Sequence, residues 1–140
     1  DGYLKNYNKV QEYMSQIVEE GKEKGYVETI LHRRRYLPEL KSKNYMVRSF
    51  GERIAMNTPI QGSAADIIKV AMVNMYNKLK SEKLKSRLIL QVHDELIVEA
   101  HVDEIEQVKK MLQESMEDAI TLNVPLKVDM KVGKSWYETK

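Results

Sequence analysis

Two adjacent carboxylates, Asp94 and Glu95, follow His93 between two apolar runs, Leu88-Ile89-Leu90 and Leu96-Ile97-Val98. Neighbouring acids repel, so their adjacency costs free energy unless a cation or a basic group is held close by. The flanking runs read as two paired strands joined by a charged turn, which sets the acids at a tip where hydrophobic burial does not explain them. One chemistry open to such a tip is phosphoryl transfer. There, a pair of divalent ions roughly 3.5–4 Å apart clamps the attacking and leaving oxygens, and each ion needs hard oxygen ligands converging from different strands. Asp94 can supply one of them. A turn aspartate that bonds its own backbone is the competing explanation, and spacing alone does not separate the two. Glu95 follows directly, and successive strand side chains point to opposite faces, so the two acids cannot serve one ion equally well. His93 is open to reading as an ordinary turn histidine.

Two other groups have types and spacings suited to binding. Arg53, Asn57 and Gln61 are spaced i, i+4, i+8 and form one polar stripe on a continuous helix. Such a stripe is either plain solvated surface or a row of hydrogen-bond donors. Arg33, Arg34 and Arg35 are candidate phosphate contacts, and equally an exposed turn that lends one arginine to an internal salt bridge. Met56, Met72, Met75, Met111 and Met116 fall at helical spacing and are expected in the core. Lys127, Lys131 and Lys134 suit a solvated strand edge.

The elements that must position these residues can be read from periodicity. Residues 8–24 predict a helix with Val10, Tyr13, Met14, Ile17, Val18 and Gly21 near one face, stopped by Gly25. Residues 26–31 and 35–37 predict a short hairpin closed by Pro38. A long helical region is expected over about 47–79, kinked or split at Pro59 and Gly62, with a very apolar, buried second half. A charged connection at 81–86 leads into the hairpin at 87–100. An amphipathic helix is predicted over 103–121, with Ile105, Val108, Leu112, Met116 and Ala119 on one face and two acids in its first turn. Residues 126–132 alternate apolar and polar, as a half-buried strand does. Helices and antiparallel strands are segregated, which argues an α+β fold.

A chain of 140 residues suits one domain with a real core. The formal net charge is only +2, so no strong global attraction to nucleic acid operates. The charge is uneven, however: His32, Arg33, Arg34, Arg35, Lys41, Lys43 and Arg48 make the first third basic, while 103–118 is rich in acids. Without cysteine, neither disulfide nor thiolate chemistry is available, in keeping with a cytoplasmic protein. No apolar run approaches the ~20 residues needed to span a bilayer, and no signal peptide, internal repeat or low-complexity tract is visible.

Val92-His93-Asp94-Glu95 at a hairpin tip resembles the last catalytic motif of family A DNA polymerases. Other segments resemble the same family in the same order: Gly25-Tyr26-Val27-Glu28-Thr29, 33–38, 52–57, Pro59-Ile60-Gln61-Gly62-Ser63-Ala64-Ala65-Asp66, and Val124-Pro125-Leu126-Lys127-Val128 with Gly133 and Trp136. The resemblance covers nearly the whole chain and is closest to the Gram-positive bacterial members. It departs at His32, where the family often has glycine, which puts the turn geometry there in question.

The resemblance implies an antiparallel palm sheet packed against helices. Residues 1–47 would be the C-terminal end of the fingers, as a helix and a hairpin, and 48–140 part of the palm. The implied reaction is template-directed attack of a primer 3′-hydroxyl on the α-phosphate of a deoxynucleoside triphosphate, in replication and repair. Two magnesium ions would assist, with Asp94 a ligand and Glu95 in a secondary role near the primer end. His93 would lie near the primer strand, Arg53, Asn57 and Gln61 on the template–primer duplex, largely in its minor groove, and Arg33, Arg34 and Arg35 on the DNA backbone. The family's other catalytic aspartate and its nucleotide-holding helix are expected upstream of Asp1. With no initiator methionine, the chain reads as a C-terminal piece of a larger enzyme. By itself it is expected to be inactive and to self-associate through an unpaired sheet edge. The alternatives are a non-catalytic nucleic-acid-binding module of the same fold, or a truncated fragment that only self-associates.

Overall fold

A computed structural model describes residues 8–139. The chain divides into two compact units, Asp1–Asp66 and Ile67–Lys140. In the first, helix α1 (Asn8–Lys24) covers the predicted span. Gly25, at φ +85°, ends it in a conformation natural to glycine, and its N–H bonds the Gly21 carbonyl at 2.8 Å. Gly21 is buried because Leu40 and Val27 close on it: an added Cβ would lie 2.8 Å from Leu40 Cδ1. Strands β1 (Tyr26–Glu28) and β2 (Arg34–Tyr36) pair antiparallel, with Tyr26 opposite Tyr36 and Glu28 opposite Arg34.

β1 is shorter than the expected 26–31. The Thr29 N–H turns to the Arg33 carbonyl at 3.0 Å and the His32 N–H to the Thr29 carbonyl at 2.9 Å, which closes the turn early. His32 takes φ +63°, the left-handed region where the family resemblance expects glycine. A 3₁₀ turn (Pro38–Lys41) then brings Leu40 onto Val27, Leu37 and Ala55, with Ile17, Val18 and Ile54 packed around them.

Helix α2 (Tyr45–Ser81) opens where the Asn44 side chain accepts from the Met46 N–H at 2.9 Å, a short polar cap for an otherwise orphaned donor. Of the expected kink or split at Pro59 and Gly62, the split does not occur: the helix's 37 residues run on through both. Proline's fixed φ is compatible with a helix, so what it removes is one ladder bond.

In the second unit, the end of α2 buries Ile68, Ala71, Met75 and Leu79 at helical spacing. The expected very apolar, buried second half is corrected here, since only one face of it is buried. Ala64 and Ala65 are exposed, and Val73 and Tyr76 are each 58% exposed. Strands β3 (Arg87–Val92) and β4 (Glu95–Glu99) form the hairpin. The register shifts by one between Leu88 and Leu90, a bulge at Ile89. Leu88, Leu96 and Val98 pack on α2, while Ile89 and Leu90 stay 54% and 43% exposed.

A 3₁₀ turn (Val102–Glu104) leads into α3 (Ile105–Glu117), which buries Val108, Met111 and Ser115. α3 stops short of the expected 121: the Asp118 N–H still reaches the Glu114 carbonyl at 2.9 Å, but the Ala119 N–H drops back to Met116 at 3.4 Å. Of the predicted core methionines, Met75 and Met111 are buried, Met72 and Met116 pack against the clusters, and Met56 is half-buried.

The strand expected over 126–132 is not formed. Leu126, Val128 and Met130 alternate half-buried with exposed lysines and Asp129 as predicted, but Val132 is 59% exposed. A strand needs a neighbour for its ladder, and here the Val128 N–H goes to the Glu117 side chain at 3.4 Å. The described residues thus hold two separate two-stranded antiparallel sheets beside helices. No described helix is long and apolar enough to cross a membrane.

Candidate functional site

The β3–β4 turn is two residues long, His93 and Asp94, because Val92 already pairs with Glu95. Only Asp94 of the two acids is therefore in the turn, and Glu95 opens β4. His93 takes φ +53°, a conformation uncommon outside glycine, and the Gln91 side-chain amide donates to its carbonyl. Asp94 and Glu95 are exposed, and among the described residues neither carboxylate has a hydrogen bond or an ion pair. The self-bonded turn aspartate is thus not what the structure contains. Among the described residues no group of three His, Cys, Asp or Glu converges on a point, so Asp94 and Glu95 are at most part of an ion's oxygen shell.

In the other unit, the continuous α2 keeps Arg53, Asn57 and Gln61 on one face, and all three are exposed. The Arg53 guanidinium lies 6.0 Å from the Phe50 ring centroid. Among the described residues Asn57 and Gln61 have no side-chain partner, which leaves their amides able to donate outward.

The three arginines of the first hairpin differ sharply. Arg33 Nε donates to Asp66 Oδ1 at 2.9 Å, and its side chain remains 55% exposed. Arg34 lies 4.4 Å over the Tyr26 ring and 3.4 Å from Glu28. The His32 imidazole, 3.1 Å away, does most to hold the Glu28 carboxyl below its usual range, with Arg34 adding to the effect against partial desolvation. Arg35 is exposed without a protein partner among the described residues.

Two polar nodes escape a reading by pattern. Asp66 is buried, and it accepts from the Thr29 hydroxyl as well as from Arg33. The available signal is an acid set between Ala64-Ala65 and Ile67-Ile68 on a helix, where only a partnered carboxylate is tolerable. Glu104 is the second. It accepts from the Lys85 N–H at 2.9 Å, the Ser86 N–H at 2.9 Å and the Ser86 hydroxyl at 2.8 Å, which ties the start of β3 to the turn before α3.

The family model described as DNA polymerase family A matches residues 1–138. The chain belongs to DNA polymerase family A. Among its relatives, the DNA polymerase I of Bacillus subtilis is 60% identical over all of this chain and 16% of that protein. The DNA polymerase I of Geobacillus stearothermophilus is 58% identical over 99% of this chain, again 16% of the relative. The chain therefore spans about one sixth of these family A relatives. Among solved structures, the POL domain of Pol1 from M. smegmatis, in complex with DNA primer-template and dNTP, matches 98% of this chain and 24% of its own. It does so at 46% identity and a TM-score of 0.95. The expected α+β fold of the family and its Gram-positive character hold.

Proposed function

We propose that this segment works within a DNA-directed DNA polymerase, in the transfer of a deoxynucleotidyl group to a primer 3′-hydroxyl during replication and repair. The observation that carries this is the match to a POL domain held with primer-template and dNTP. In this reading residues 1–47 are the end of the fingers and 48–140 part of the palm, acting in the cytoplasm where the chromosome is copied.

Asp94 is proposed as a ligand of magnesium, since its exposed carboxylate is unspent on the protein. Bound magnesium would lower the pKa of the attacking hydroxyl and neutralise charge developing on the phosphate. Glu95, on the neighbouring position of β4, would act beside the primer end, and His93 would contact the primer strand. The minor groove presents acceptors at every base pair, so Arg53, Asn57 and Gln61 can donate to a correctly paired duplex without reading its sequence. Arg35, without a protein partner among the described residues, can offer its guanidinium to a DNA phosphate. Arg34 and the half-exposed Arg33 can add positive potential there while keeping their acidic partners. The test is Asp94→Ala in a full-length polymerase carrying this segment: extension should be lost while duplex binding persists.

A second proposal concerns the 140 residues in isolation. Ile89 and Leu90 are exposed on β3, whose backbone pairs on one side only among the described residues. Such an edge recruits another strand, so the isolated chain would self-associate through the hairpin.

A further inference from the structure

Pro59 and Gly62 are the residues of α2 least suited to a helix interior, and they flank Gln61. Proline has no N–H to give to the Ala55 carbonyl, and glycine adds backbone freedom just beyond. Left to itself, α2 is weakest where its duplex-facing stripe has its last member. The β1–β2 turn lies against α2 from Gly62 onward. An added Cβ on Gly62 would be 2.7 Å from Thr29 Cγ2, so only glycine lets the turn come this close. The Ile30 N–H donates to Ser63 Oγ at 2.9 Å. Arg33 Nη2 donates to the Gly62 carbonyl at 3.4 Å, and its Nε to Asp66 at 2.9 Å. The Thr29 hydroxyl donates to the other Asp66 oxygen and also accepts from the Arg33 N–H at 3.2 Å. Thr29 and Asp66 are each 5% exposed, so water has little access to the bond between them.

We infer that the β1–β2 turn, through Thr29, Arg33 and Asp66, splints α2 over 62–66, just beyond Pro59, and thereby positions Gln61 in line with Arg53 and Asn57. Thr29 and Asp66 touch no substrate in this scheme. They are positioning residues, and the Gly62-to-Asp66 stretch is the seat the turn grips. The consequence for Gln61 rests on the proposed reading of the stripe as a duplex contact.

The experiment uses a full-length family A polymerase carrying these residues, with Thr29→Val, Asp66→Asn, Gln61→Ala and the two doubles containing Gln61→Ala. Thr29→Val, nearly isosteric, serves if Asp66→Asn fails to fold. Amide exchange in 60–66 should quicken roughly tenfold in Thr29→Val or Asp66→Asn, with 68–79 unchanged. Extension from a mispaired primer end should change as it does in Gln61→Ala, and the doubles should add nothing further. Unchanged exchange in 60–66 overturns the splint. Faster exchange with fully additive extension effects overturns the positioning of Gln61. If Gln61→Ala by itself ignores the primer end, the duplex reading and the claim for Gln61 fall together, while the exchange result still decides the splint.

Discussion

Arg33 Nε sits 2.9 Å from Asp66 Oδ1, across 33 positions of sequence, with the carboxylate buried and the arginine half in water. One end of this pair cannot be removed cheaply, because it leaves a buried charge with fewer donors. The arginines of the turn therefore should not respond alike. Arg35→Ala should leave stability unchanged, weaken duplex binding and reduce the slope of log affinity against log salt by about 1. Arg33→Ala should in addition lower unfolding free energy by about 1–3 kcal/mol. Denaturant titration beside binding at several salt concentrations separates the two. Equal stability loss in both variants would contradict the partnering described above.

Asp94→Ala in a full-length polymerase should cut extension by far more than tenfold with duplex affinity nearly intact. A metal ligand acts on the transition state, whereas affinity comes from phosphate contacts spread elsewhere. Single-turnover extension together with equilibrium DNA binding checks this. A loss smaller than about tenfold, ~1.4 kcal/mol, would remove Asp94 from the ligand set.

If the stripe faces the duplex as proposed, Arg53→Ala and Gln61→Ala should change extension most when a mispair occupies the primer end, since each would take a donor from the duplex and leave the chemistry alone. Rates from matched and mispaired primers, compared in each variant, decide it. A change indifferent to the primer end would return these side chains to solvated surface.

Acid should loosen the node at Glu104. Partial burial would by itself raise its carboxyl, but the bonds from the Lys85 N–H, the Ser86 hydroxyl and the Ser86 N–H outweigh it and hold it below the ordinary 4.5. A folded pKa below the unfolded one contributes stability that is complete above 4.5 and is lost as pH falls through the folded value. Glu104→Gln should therefore lower Tm near neutrality and flatten its fall in acid. Thermal melts of both proteins from pH 7 down to about pH 3 test this. Parallel profiles would mean that Glu104 contributes nothing through ionisation.

The isolated 140-residue chain should extend no primer, and it should sediment as more than a monomer. Ile89→Lys, on the exposed edge strand, should shift it toward monomer without unfolding it. Sedimentation velocity over a range of concentrations measures the shift. A monodisperse monomer at high concentration would show that the hairpin edge is harmless.

Local signals carried much of this protein. Asn8–Lys24 was legible as a helix because an apolar face and a stopping glycine are properties of neighbouring residues. The hairpin was legible because two apolar runs flank a polar point, and the order of short motifs pointed to the family. What depended on distant partners was not legible. Strand 126–132 alternates as a strand should, yet its Val128 N–H bonds Glu117, because a ladder depends on a neighbour the pattern does not name. Pro59 and Gly62 argue locally for a break in α2, and the contacts made there by Thr29, Arg33 and Ile30 come from some 30 residues away. Asp66 reads as an acid misplaced among alanines and isoleucines until the fold brings Thr29 and Arg33 to it. Periodicity and turn chemistry are written in adjacent residues, whereas the partner of a buried charge is chosen only when the chain closes on itself.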